Sequence, residues 1–330
     1  MLKYRAGFTL IELMIALALG LVITAAAIML FITGQRSYSM QQGVADLQDN
    51  ANFGLNYIVR DIRLANLNST RADINDQVSF GGIVLTSAIN AQKDASVPPL
   101  PLSNLSSTIT GNTAAVSLLS RSSGTGMSAG TAPAWTGISN VNEAGIALLS
   151  DQLVIQYRPV EIGGFDCEGQ EITSTDIYIV QRYFLRADTN VSANEPNQAL
   201  ALACDAGFYP VTGSPTAITN YGDAGEIIMK RVDYFRVLLG IQNGDNYRYI
   251  SIADYMAMAS PRPRILSLQL GILTRSSQST GTNGNAGNNT TFTVLDKNIV
   301  VKSSTTTNNY IRQVVSQTVA LRNGFGERGL

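Results

Sequence analysis

The chain has 330 residues, a formal net charge of −1, only 14% charged side chains and no histidine. Beyond two basic residues near the start there is no cluster of positive charge, which argues against nucleic acid as a partner, and two cysteines without histidine argue against a zinc site. After residue 67 about 260 residues remain, enough for one large domain or two small ones.

The chain opens on Arg5-Ala6-Gly7-Phe8-Thr9-Leu10-Ile11-Glu12, and residues 13–32 then run without a charge. At about 1.5 Å per residue, a helix over that run crosses a hydrocarbon core of roughly 30 Å. Glu12 stands at its mouth, and an acidic residue deep in a spanning helix costs about 2.5–3.5 kcal/mol, so it calls for a partner. Lys3 and Arg5 hold the leader in the cytoplasm by the positive-inside tendency, placing everything after Gly34 on the far side. An ordinary cleaved signal is a rival reading, with Ala25-Ala26-Ala27 as its site; the apolar run nevertheless continues to Ile32 and would contain Glu12. A generic single-span anchor leaves Glu12 unexplained.

A basic leader, Gly-Phe-Thr-Leu-Ile-Glu and an immediate apolar run together resemble the class III signal of type IV pilins and of the pseudopilins of type II secretion. The resemblance implies that a prepilin peptidase cuts after Gly7 and methylates the new N-terminus, Phe8. It implies also that Glu12 pairs with the N-terminal ammonium of a neighbouring subunit as the helix joins the filament. Electrostatics agrees with this. Cleavage would place an ammonium at the positive end of a helix macrodipole, with Glu12 four residues on and one turn away on the same face.

Met40, Val44, Leu47, Ala51, Leu55, Ile58, Ile62 and Ala65 continue at the 3.6-residue period of an amphipathic stripe, with Gln41, Asp46, Asn50, Arg60, Asp61 and Arg63 opposite. The pattern predicts one helix over residues 8–66, roughly 88 Å long, stopped by Asn66-Leu67-Asn68-Ser69. Short β-like segments follow at residues 78–85 and 114–119, separated by Val97-Pro98-Pro99-Leu100-Pro101, which reads as an extended connector. Trp135, in a loop-like context, reads as packing.

From Asp151 strands are predicted at residues 153–157, 176–185, 199–204, 227–241 and 247–252, rich in β-branched and aromatic side chains. Neither face of residues 176–185 is cleanly polar, so that strand is expected between the helix and another layer. Asn243-Gly244-Asp245-Asn246 reads as a hairpin turn and lacks the ligand ladder of a calcium loop. A short helix at 251–259, a strand at 264–274, a polar loop at 276–291 and a last strand at 310–321 complete the series. Cys167 and Cys204 lie 37 residues apart in the exported part. In an oxidising compartment a disulfide between them contributes roughly 4 kcal/mol, the alternative being two free buried thiols.

Arg60-Asp61-Ile62-Arg63-Leu64-Ala65, the block Val232-Asp233-Tyr234-Phe235-Arg236-Val237-Leu238-Leu239-Gly240 and the terminal Thr318-Val319-Ala320-Leu321-Arg322-Asn323 resemble PilW-type minor pilins. The expected fold class is therefore α+β and type IV pilin-like, a long N-terminal helix packed on a β-rich domain. Its parts are a leader (residues 1–7), the transmembrane half of the helix (8–34), its amphipathic half (35–67) and a periplasmic or extracellular domain (68–330). The resemblance implies a structural subunit without cofactor that starts in the inner membrane, primes type IV pilus assembly and stays near the pilus tip. Its implied partners are the prepilin peptidase, other minor pilins and the major pilin through the N-terminal helix, and a tip adhesin. The alternative is the J-type pseudopilin of type II secretion. A membrane-anchored periplasmic enzyme is the reading from another class, opposed by the lack of histidine, of a G-x-S-x-G elbow and of metal-ligand spacing.

Overall fold

The computed structural model describes residues 7–87, 92–93, 101–106, 108–109, 118–124, 135–191, 195–277, 279, 290–303 and 310–324. Its organising element is α1 (Leu10–Ile62). Through residue 42 every side chain of this helix is exposed, after which the stripe turns inward: Leu47, Ala51, Leu55, Ile58, Val59 and Ile62 are buried. Each large apolar side chain so buried stabilises the contact by about 1.5–3 kcal/mol. Met40, expected on that stripe, is exposed because it precedes the point where the domain begins to cover the helix.

The helix ends four residues before the expected stop at Asn66. Residues 63–68 form tight turns, with Asn66 and Asn68 in the left-handed region at φ 65° and φ 53°. Asn66 is held there by its own groups: its backbone N–H donates to the Gln156 carbonyl, its Nδ2 donates to the Arg71 and Asn323 carbonyls, and its Oδ1 accepts from Gly82 N. Amide side chains that bond nearby backbone compete with helix in this way.

The strands are β1 (Gln92–Lys93), β2 (Pro101–Leu102), β3 (Val141–Glu143), β4 (Ile146–Ala147), β5 (Leu153–Tyr157), β6 (Ile177–Ala187) and β7 (Leu200–Pro210). They continue with β8 (Glu226–Lys230), β9 (Val232–Asn243), β10 (Asn246–Ser251), β11 (Arg264–Arg275), β12 (Thr291–Val294), β13 (Lys297–Val301) and β14 (Arg312–Ala320), with α2 (Ile252–Ala257) between β10 and β11. Among the described residues β1 pairs with β2, and the rest form antiparallel sheets ordered β5-β6-β7-β8, β10-β9-β11-β14 and β12-β13-β3-β4.

The α1 stripe packs across the first two of these four-stranded sheets: Leu55, Ile58 and Ile62 share one core with Tyr183, Leu185 and Leu202 of the first and Phe235, Leu239, Leu270 and Val319 of the second. The other face of the first sheet buries Tyr178, Val180 and Tyr209 against Val84, Leu105 and Leu119. β6 is therefore covered on both faces, as its two-sided apolar pattern requires. The third sheet closes Val141, Val294 and Ile299 over Tyr234 and Leu273. Gly54 marks the closest approach of α1 to β8, since a Cβ there would lie 2.5 Å from Met229 Cε.

Several expectations are corrected. Residues 78–85 form no strand and make one isolated bridge, Ile83 to Ile155, because the segment is tied instead by Asn104 and Asn66 side chains. Most of the expected segment 114–119, and of the connector 97–101, lies outside the described residues. The single strand at 227–241 is two, broken at Arg231 with φ 58°. The polar stretch 276–291 gives way at Thr291 to β12, and the 243–246 turn is tight, with Gly244 at φ 61°. Trp135 donates through Nε1 to the Ser150 carbonyl.

Asp61, expected on the polar face, is only 8% exposed, because β6 covers that side of the last turn. It accepts from Tyr183 Oη at 2.8 Å, and burial, opposed by that hydrogen bond, pushes it up to about 6. An acid whose folded pKa lies above its unfolded value stabilises below the unfolded value and loses that contribution as pH rises through the folded one. Stability should accordingly fall between about pH 4 and pH 6. Asp61→Asn, which keeps an acceptor for Tyr183, should stabilise the full chain at pH 7.5 by about 2–3 kcal/mol and by nothing near pH 4. Thermal unfolding in detergent at both pH values checks this; equal gains at both would mean that the charge is not the cost.

Candidate functional site

The N-terminal segment combines an extended lead-in with a capped helix start. Gly7, Phe8 and Thr9 precede α1, and the Phe8 side chain is fully exposed to its surroundings. Thr9 has extended backbone (φ −78°, ψ 151°) and caps the helix. Its Oγ1 accepts from Glu12 N at 3.3 Å, and the Glu12 carboxylate accepts from Thr9 N and Thr9 Oγ1, both at 2.9 Å. This reciprocal capping box satisfies donors that a helix start otherwise leaves unpaired. The helix thus begins at Leu10 rather than Phe8, and the Gly7–Phe8 bond stays outside it.

In this chain, with its leader attached, the Glu12 carboxylate already has a local partner. Thr9 adds a residue to the expected site, and Thr-x-x-Glu before an apolar run is the local pattern that announces its capping box. From Glu12 onward α1 is long and apolar enough to cross a membrane. Among the described residues nothing buries its first half, whose side chains are exposed through residue 42.

Cys167 and Cys204 are joined by a disulfide with Cα atoms 6.1 Å apart. Cys204 lies inside β7, and the Cys167 carbonyl accepts from Tyr57 Oη of α1 at 3.1 Å. The helix, the hairpin closed by the Phe165–Glu171 bridge and the first sheet are thereby tied at one point. Beside it the Glu168, Asp205 and Asp223 carboxylates approach within 4.8 Å of one another. Arg182 Nη2 stands 2.6 Å from Asp205 Oδ2 and counters part of their charge, while burial and then Asp205, Asp223 and Asp166 push Glu168 up to about 7 against the Ala206 amide.

The buried arginines are further features that went unread in the sequence. Arg236 lies between Asp151, at 3.3 Å, and Asp296, at 2.6 Å. Arg231 pairs with Asp188 and Glu195, Arg275 with Glu195 and Asp233, and Arg312 with Asp233. This chain of pairs joins the β8–β9 break to β11 and β14.

Comparison with known proteins bears on both ends. Residues 2–28 match the prokaryotic N-terminal methylation motif. Residues 182–323, which hold the strands from β7 to β14 and the linked pairs of Arg231, Arg275 and Arg312, match the family Type IV Pilus-assembly protein W. The chain is a PilW-like type IV pilin. Its motif implies processing by the peptidase and assembly with other pilins. A type IV-like pilin from Thermus thermophilus is similar at 16% identity, over 53% of this chain and 78% of its own, with a TM-score of 0.27, a value at which the likeness carries no argument. No curated protein matches the chain. The PilW match begins inside β6, so α1 beyond residue 28 and the segments up to β5 lie outside both matches.

Proposed function

We propose that this PilW-like pilin is a low-copy subunit that associates with other minor pilins in the inner membrane, primes filament assembly and remains at or near the pilus tip, supporting display of a tip adhesin. The observation that carries the reading is the pairing of a methylation motif at one end of the chain with a PilW-like domain at the other. Gly7–Phe8 is the proposed cleavage site and Phe8 the methylated residue; the bond lies ahead of the capped helix, outside its hydrogen-bonded turns, where a peptidase can reach it. The domain after Gly34 is proposed to face the periplasm and then the cell surface.

One half of α1 is uncovered apolar surface. Such a helix leaves lipid only when other apolar helices take the place of the lipid around it. Intact mass of the membrane form should show the loss of residues 1–7 and one methyl group on Phe8. Deletion of the gene should remove surface pili while leaving protein secretion intact. Loss of secretion with normal pili would assign the chain to a type II secretion filament instead, and an uncut Met1 terminus in cells that hold the peptidase would sink the processing site.

A further inference from the structure

The segment that leads into Cys167 carries a second apolar surface. Val160, Ile162 and Phe165 are 63%, 64% and 67% exposed, three large apolar side chains within six residues, and each lies outside the spanning helix. Isolated exposed apolar residues need no explanation, whereas a group of them on a fixed element marks a contact surface. This element is fixed. Gly163 N donates to the Ile172 carbonyl at 2.9 Å and Ile172 N to the Gly164 carbonyl at 2.7 Å, while Phe165 bridges Glu171. Asp166 Oδ1 accepts from Glu168 N and Gln170 N at the tip, and the disulfide pins the hairpin to β7.

Its position adjoins the assembly helix. Tyr57 donates to the Cys167 carbonyl, and Phe53, one turn earlier on the same side of α1, is 71% exposed. The rim is acidic, with Glu161 and Glu171 exposed on the hairpin itself. Arg158, the basic residue at its base, is engaged by Asp176. An apolar centre with an acidic rim selects a partner that presents apolar side chains flanked by Lys or Arg.

We infer that the Cys167-anchored hairpin, with Phe53 beside it, is a docking surface for a neighbouring pilin subunit that offers an apolar segment flanked by basic residues. The inference rests on the reading of this chain as a pilin that assembles with others. It adds a contact made by the exported domain to the contact made by the apolar helix half. Because the hairpin is closed by its own hydrogen bonds and pinned by the disulfide, it is available for docking without refolding.

The test uses the full chain in cells. A photo-crosslinking residue in place of Phe165 should yield an adduct with another pilin, and the joined peptide should carry apolar residues next to Lys or Arg. The double variant Ile162→Ser with Phe165→Ser should reduce that adduct, trapped from position 160, and surface pili by at least about tenfold. Its thermal unfolding in detergent should match the parent. Glu161→Lys with Glu171→Lys should lower the adduct without touching the apolar centre. Absence of a pilin adduct, an adduct with lipid or with a protein of another class, or normal piliation in the apolar double variant would overturn the inference. Deletion of the gene separates the two levels: if it removes pili and the hairpin variants do not, only the docking surface fails, and if deletion itself leaves pili intact, the pilin reading fails with it.

Discussion

Glu12→Ala is expected to leave the β-rich domain folded and to lower incorporation of the chain into filaments by about a hundredfold, because the proposed partner ammonium is then left unpaired in apolar surroundings. The structure separates two things that this carboxylate does. In the chain with its leader it closes a capping box with Thr9. Once cleavage frees the Phe8 amine, it is the proposed partner of that ammonium.

Glu12→Gln distinguishes these roles, because glutamine serves a capping box as glutamate does but carries no charge. If the ion pair is the function, the Gln variant fails in assembly like the Ala variant. If the cap is the function, the Gln variant assembles. Counting the chain in sheared pili against its amount in membranes gives the answer, with thermal unfolding of each variant as the control for folding. Assembly of both variants at the parent level would remove Glu12 from the mechanism.

The second large effect is expected inside the domain. Arg236→Met should destabilise the full chain by about 3–5 kcal/mol, since it leaves Asp151 fully buried without its cation. Burial already pushes Asp151 up to about 7, opposed first by the Arg236 guanidinium and then by the Val237 amide, which donates to it at 2.8 Å. Removing the strongest of the opposing groups lets burial prevail. At about 2–4 °C per kcal/mol for a domain of this size, the unfolding temperature should drop by about 10 °C. Adding Asp151→Asn to Arg236→Met should recover part of the loss, because the orphaned charge goes with it. A double variant that is no better than the single one would mean that Arg236 stabilises through its bidentate contact with Asp296 instead.

Much of the fold is legible in local patterns. The uncharged run and the stripe from Val44 to Ile62 recur at helical spacing, so α1 can be read directly, and β5, β6, β7, β10, β11 and β14 each announce themselves by β-branched and aromatic residues between turn residues. The elements missed are short or polar. β3 and β4 together span Val141 to Ala147, and β12 begins in a run of threonine, so neither differs locally from loop. Arg231, at the break between β8 and β9, is a non-glycine residue at positive φ, which no local pattern foretells.

At the N-terminus Gly7, Phe8 and Glu12 stand out because their chemistry is contiguous. The capping role of Thr9 was also local and could have been read. Other features depend on residues distant in sequence. Arg236 meets Asp151 and Asp296 across 85 and 60 residues, and Tyr183 reaches Asp61 across 122. An arginine or aspartate reads as surface until its counter-charge is placed beside it, and only the pairing of strands does that.

The sequence by itself determined that this chain carries a long apolar helix behind a Gly-Phe-Thr-Leu-Ile-Glu start, and that a strand-rich domain follows, because periodicity and motif are properties of neighbours along the chain. Tertiary structure alone decided which strands pair, that β14 returns to β11 beside β9, that Asp61 and the arginines are buried, and that a disulfide-anchored hairpin presents Ile162 and Phe165 outward next to α1. Those outcomes turn on contacts between residues tens to hundreds of positions apart, whose energies no local window contains.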